Sequence, residues 1–163
     1  MAAPWFLPGK FDPPPAPAVR IERGFDPPVP VTLLVAGPGY GKSTALAAAG
    51  PDVWVGLDPG DADAATFFYA LVLGVRGRIP GFGEDVLALA ASAEPKRVWA
   101  AFFGAIAAYN LPGFVLALDD LHHAYAVPGL MEGLAATFER LPCRLLLAAR
   151  QRFPVGLARL RAR

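Results

Sequence analysis

Cysteine is almost missing from this chain: Cys143 is the single one in 163 residues. An intrachain disulfide and a cysteine-based zinc cluster are therefore both excluded. Lysine is scarce as well, at Lys10, Lys42 and Lys96, and Asn110 is the one asparagine. Charged residues make up 18% and the net charge is +1, which argues against a basic protein that coats nucleic acid. Long hydrophobic runs are lacking despite a mean hydropathy of +0.40. The longest uncharged apolar stretches, 64–75 and 98–109, fall well short of the ~20 residues that span a bilayer, so they read as buried helices and no membrane partner is expected. Met1–Ala18 holds too many prolines for the apolar core of a secretory signal, and Arg20 and Arg23 come too late for its basic head. The expectation is a compact cytoplasmic protein, with enough chain for one ordinary core.

Proline and glycine, by contrast, are plentiful, at 18 and 17, and they punctuate the chain. The prolines of residues 1–30 forbid helix interior and central strand, so this stretch reads as an extended arm, with a short pairing segment at Val19–Glu22. From residue 31 to 163 strands and helices alternate. Val31–Ala36 is apolar on both faces, as a strand of a parallel sheet must be. A helix over 42–49 follows, closed by Gly50-Pro51, and then a second strand over 53–57. Asp61 is expected to cap a helix running to about Val75. A short helix at 84–91 and a longer one after Pro95 precede a third strand over 114–118. Pro128 opens a helix with the stripe Leu130, Leu134, Phe138, Leu141, and 144–149 is a fourth strand, after which another helix starts. The pattern predicts right-handed crossovers and a parallel sheet covered on both sides, an α/β fold.

One segment carries a specific chemistry. Ala36-Gly-Pro-Gly-Tyr-Gly-Lys-Ser-Thr44, set between a buried strand and a helix, fits the phosphate-binding loop pattern, with Ala36 where glycine is commoner. Gly37, Gly39 and Gly41, with Tyr40 between them, let successive backbone N–H groups converge on a polyphosphate, and the following helix adds its positive end. Lys42 is expected to reach the β- and γ-phosphates, Ser43 to ligate Mg²⁺ and Thr44 to contact the α-phosphate. The bland alternative is a tight turn with an incidental lysine. Lysine is too rare here for that to be favoured.

Asp119-Asp120 follows the third strand, at the edge where α/β sheets bind ligands. The first acid suits Mg²⁺ and the second an attacking water; alone, the pair reads equally well as solvated turn acids. Arg150 ends the fourth strand at the same edge and is placed to read a γ-phosphate, against the alternative of one more arginine in an arginine-rich tail. Other residues take plainer readings. His122 and His123, on extended backbone, would point apart and so not share a metal, Cys143 reads as an inert buried thiol, and Phe67, Phe68, Tyr69, Phe102 and Phe103 read as core. Asn110 is followed by leucine, so the Asn-Lys-x-Asp guanine reader is absent and adenine is expected by exclusion.

Together these blocks resemble the nucleotide-binding domain of MalT-like signal-transduction ATPases, the STAND class found in large LuxR-type activators. Val35–Thr44 is similar to that family's Ala-Pro-Ala-Gly-Tyr-Gly-Lys-Thr-Thr loop, with the proline one place later. Trp54–Asp63 is similar to its second-strand block. Leu118–His122 and Leu145–Arg150, followed by Leu157–Arg161, are similar to its acidic and sensor strands. The resemblance covers roughly residues 19–163. It implies a three-layer P-loop NTPase fold and ATP or ADP bound with Mg²⁺, hydrolysed slowly as a switch in transcription regulation. Lys42, Asp120 and Arg150 would serve catalysis, Ser43 and Asp119 the metal, and His122 matches a family histidine of open role. It also implies that the chain stops before a fifth core strand beside 31–36, before a helical lid, and before the domains through which such proteins contact DNA or form homo-oligomers. Two other readings stay open: a P-loop phosphotransferase or general AAA+-like ATPase, and a non-catalytic fragment that binds nucleotide weakly.

Overall fold

The computed structural model describes residue 6 and residues 8–16 and 29–156. Four strands, β1 (Val31–Val35), β2 (Val53–Gly56), β3 (Val115–Asp119) and β4 (Arg144–Ala149), form one sheet in the order β1-β4-β3-β2. Every neighbouring pair is parallel, with Val31 opposite Leu145, Leu116 opposite Leu145 and Val53 opposite Leu116. Helices α1 (Lys42–Ala48), α2 (Ala64–Arg76), α3 (Glu84–Ala90), α4 (Pro95–Ala108) and α5 (Leu130–Ala135) connect them.

Alternation along the strands sorts the core into two faces. Val53, Val55, Leu116, Leu118, Leu145 and Leu147 join the large cluster that holds the buried residues of α2, α4 and α5. Trp54, Val115, Ala117, Leu146 and Ala148 join Leu46 of α1 in a smaller one on the other face. The strand order explains this division. The step from β1 to β2 crosses the sheet in one direction, while the steps to β3 and β4 return in the other. Crossovers of one hand must then place α1 opposite the remaining helices. The result is an α/β architecture of three layers, heavier on one side. Two glycines set its spacing: a Cβ on Gly74 of α2 would come within 2.7 Å of Val55 Cγ2, and one on Gly133 of α5 within 2.9 Å of Lys96 Cα. The indole of Trp99, beneath that crossing, donates to Leu130 O at 2.9 Å.

Several sequence expectations are corrected here. Asp63, not Asp61, caps α2, its carboxylate accepting from Thr66 N at 2.9 Å. Asp61 closes a 3₁₀ turn over Pro59–Asp61, in a reciprocal capping box with Asp58. The helix expected from Pro128 begins at Leu130 behind Gly129, whose φ is 71°, and stops at Ala135. There the Thr137 hydroxyl donates to Leu134 O at 2.7 Å, a side-chain bond that competes with the helical ladder, and Phe138–Arg140 continues as a 3₁₀ turn. Leu130, Leu134 and Phe138 are buried all the same. Nor is the first stretch wholly an extended arm: residues 8–11 form a turn, and Lys10 O accepts from Gly56 N at 2.7 Å on the outer side of β2. Among the described residues β1 pairs with β4 alone and is an outer strand. The segments Val19–Glu22 and Leu157–Arg161, and the final helix, lie outside the described residues. No described helix is long and apolar enough to cross a membrane.

Candidate functional site

Parallel strands end on one side, so the residues that follow them gather at a single edge. The loop 36–41 follows β1, Arg150 follows β4, Asp119 ends β3 with Asp120 next, and Asp58 lies beyond β2. Because β4 sits between β1 and β3, Arg150 stands between the loop and the acid pair.

The loop leaves the sheet with Ala36 N donating to Ala149 O at 3.3 Å. Gly39 and Gly41 take φ of 79° and 72°, left-handed values that a side chain would strain. Gly37 has no such φ; a Cβ there would meet the Tyr40 ring at 3.5 Å, and that ring lies largely in solvent. Gly41 caps α1, and Ala45 N donates back to Gly41 O at 2.9 Å, so the amides of Lys42, Ser43 and Thr44 precede the helical ladder. Lys42 is buried, its Nζ donating to Gly37 O at 2.8 Å, which holds an ammonium group across the loop.

Ser43 lies close enough to the buried Asp119 carboxylate to lower its pKa, and Asp119 Oδ1 accepts from Asp120 N at 2.9 Å. Burial pushes the Asp119 carboxyl above its ordinary value, and the Asp120 charge adds to the rise; the neighbouring Ser43, the bond from Asp120 N and the Lys42 charge offset only part of it. A cation placed there would relieve that penalty.

Asp120 has φ 51° without being glycine, a strained backbone of the kind that accompanies function. Its Oδ1 lies 3.5 Å from Arg150 Nε and 3.7 Å from His122 Nδ1. The latter is too long for a hydrogen bond, and Nδ1 is buried without a hydrogen-bond partner. Residues 121–124 form a 3₁₀ turn rather than extended backbone, so the His122 and His123 rings do not point apart; their centroids are 4.3 Å from each other. Among the described residues no three acidic, histidine or cysteine side chains are grouped to hold a metal on their own. Burial, then the neighbouring His123, depress the His122 pKa, outweighing the Asp120 charge, while Arg150 and Lys42 act in the same direction as burial.

A folded-state value below the unfolded one means that the unfolded chain takes up the proton first. The stability carried by the neutral His122 ring is present above about pH 6.5 and is lost as pH falls through the depressed value. His122→Asn is therefore expected to flatten the decline of the thermal midpoint between about pH 7.5 and 5.5. Parallel declines for wild type and variant, followed by circular dichroism, would remove that assignment.

The loop residues, Asp119, Asp120 and Arg150 thus share one edge, while Cys143 is buried elsewhere, its thiol pushed up to about 12 by burial. Thr44 is half-buried in the first turn of α1. Sequence reasoning missed Lys10, whose ammonium is enclosed by Asp58 and Asp61; a separation of 48 residues from Asp58 leaves no local signal. No protein-family model matches the chain, and no curated protein matches it.

Proposed function

We propose that the chain binds Mg-ATP and hydrolyses it slowly, as the nucleotide switch of a MalT-like regulator. The observation that carries this reading is the loop bridged by Lys42 at the same sheet edge as the buried Asp119, with Ser43 beside that carboxylate. Two protein oxygens suit Mg²⁺, which keeps several waters and takes its other ligands from phosphates, so Ser43 and Asp119 are the residues that would hold it. When bound, the ion neutralises charge on the phosphate oxygens.

The chain's own groups divide the remaining work. Amides of Gly39–Thr44 bind the phosphates, with Lys42 leaving Gly37 O to meet the terminal ones. Asp120 orients a water and accepts its proton, held for that task by a backbone that fixes the carboxylate toward Arg150. Arg150 exchanges Asp120 for the γ-phosphate, a stronger bidentate partner. Water as acceptor favours hydrolysis over phosphotransfer. The family itself rests on the order and spacing of the three matching sequence blocks, and adenine on the missing guanine reader.

One observation favours the second reading, a nucleotide-binding fold of weak affinity: β1, which carries the loop, is an outer strand among the described residues. Thermal unfolding separates the two. Saturating Mg-ATP at about a hundred times Kd adds about 2.7 kcal/mol, which raises the midpoint by roughly 5–10 °C for a chain of this size. A midpoint unmoved by millimolar Mg-ATP would reject the switch reading.

A further inference from the structure

Beyond the acid pair, the same edge carries two more carboxylates and one cation that the nucleotide reading leaves unused. Lys10 comes from the N-terminal segment, yet its side chain is 1% exposed, with Nζ 2.7 Å from Asp58 Oδ2 and bonded also to Asp61 Oδ2. Besides that ion pairing the segment is fastened at two points: Lys10 O takes Gly56 N on the outer side of β2, and Phe6, whose ring lies 5.1 Å from Lys10 Nζ, stacks on Tyr69 of α2 at 5.9 Å. Asp58 and Asp61 bind each other's turn, through Asp58 N to Asp61 and Gly60 N to Asp58, while the second oxygen of Asp61 is buried with no hydrogen-bond partner.

These acids belong electrically to the acid pair. Leu57 N donates to Asp119 O at 3.0 Å, so the segment carrying Asp58 is tied to the end of β3. Without Lys10, Asp58 and the buried Asp61 would stand uncompensated next to the strand end that carries Asp119 and Asp120, adding negative charge to the edge where a polyphosphate must come. At separations of about 10 Å and intermediate dielectric, each uncompensated charge weakens anion binding several-fold.

We propose that Lys10 is the counter-ion that makes this sheet edge able to accept a polyanion, and that the strap formed by Phe6 and residues 8–12 and the nucleotide are thermodynamically linked. The inference rests on the nucleotide reading. Lys10 touches no phosphate; it acts by offsetting one of the two charges of Asp58 and Asp61. By reciprocity, bound nucleotide holds the strap down by the same factor by which the fastened strap tightens nucleotide.

The test is calorimetric titration of Mg-ATP into the full chain at low salt, with circular dichroism to verify folding. Lys10→Met is expected to weaken binding roughly fivefold to twentyfold. Adding Asp58→Asn and Asp61→Asn to it is expected to restore binding to the wild-type affinity or tighter, because the cluster then carries no charge; a purely structural anchor would not be rescued by deleting its partners. Asp58→Asn alone is expected to tighten binding several-fold, an advantage that fades at about 0.5 M salt. If Lys10→Met fails to fold, the triple and Asp58→Asn variants decide the matter. A folded Lys10→Met of wild-type affinity, an unrescued triple variant, or an Asp58→Asn that binds no tighter than wild type overturns the inference and leaves the nucleotide reading intact. Absence of binding by wild type and every variant overturns both.

Discussion

Lys42→Ala is expected to lower Mg-ATP affinity more than a hundredfold while leaving the fold in place. The ammonium makes one bond in the described structure, to Gly37 O at 2.8 Å, at the mouth of a loop whose glycines turn at φ 79° and 72°. Moving that donor from a neutral carbonyl to charged phosphate oxygens creates charge-assisted bonds worth about 1.5–3 kcal/mol each, and Lys42 has hydrogens for more than one. Alanine supplies none of them. It is also a good helix former at the first position of α1, so loss of binding would not trace to loss of the helix. A thermal midpoint near that of wild type, no longer raised by Mg-ATP, is the signature of this outcome.

Asp120→Asn is expected to leave Mg-ATP affinity within about threefold and to slow hydrolysis by roughly 10²–10⁴, the range that proton transfer by a positioned side chain contributes. Asparagine is nearly isosteric and tolerates the left-handed backbone at φ 51°, so the geometry survives. It cannot accept the proton of the water, and it presents a dipole in place of a charge to Arg150 Nε, 3.5 Å from Oδ1. Single-turnover phosphate release against Kd by dye competition separates the effects. Hydrolysis at the wild-type rate would assign the water to another group.

Much of this fold was legible because its signals are local. Apolar runs on both faces mark β1 to β4, and helical spacing of Val98, Phe102 and Ile106 marks α4. Three of the four corrections involve competition that a periodic pattern does not express. Asp61 and Asp63 are both good caps; the box with Asp58 and the buried Lys10 decide between them. The stripe through Leu141 is real as burial but not as helix, because Thr137 bonds back to Leu134 O. The two histidines face each other because residues 121–124 wind into a 3₁₀ turn.

The candidate site was legible to the extent that each part follows a strand end. The loop, the acids and Arg150 carry their own residue signatures, and parallel pairing brings them to one edge. What local pattern could not convey is long-range pairing: the placing of Ser43 beside Asp119, the approach of Arg150 to Asp120, and above all the insertion of Lys10 between acids far along the chain.

The most direct measurement is a pair of calorimetric titrations of Mg-ATP, one into the wild-type chain and one into Lys42→Ala. A saturable one-to-one isotherm for the first and bare heats of dilution for the second are the predicted results. Equal isotherms, or no binding to the wild-type chain, would contradict a nucleotide site in the loop of residues 36–44.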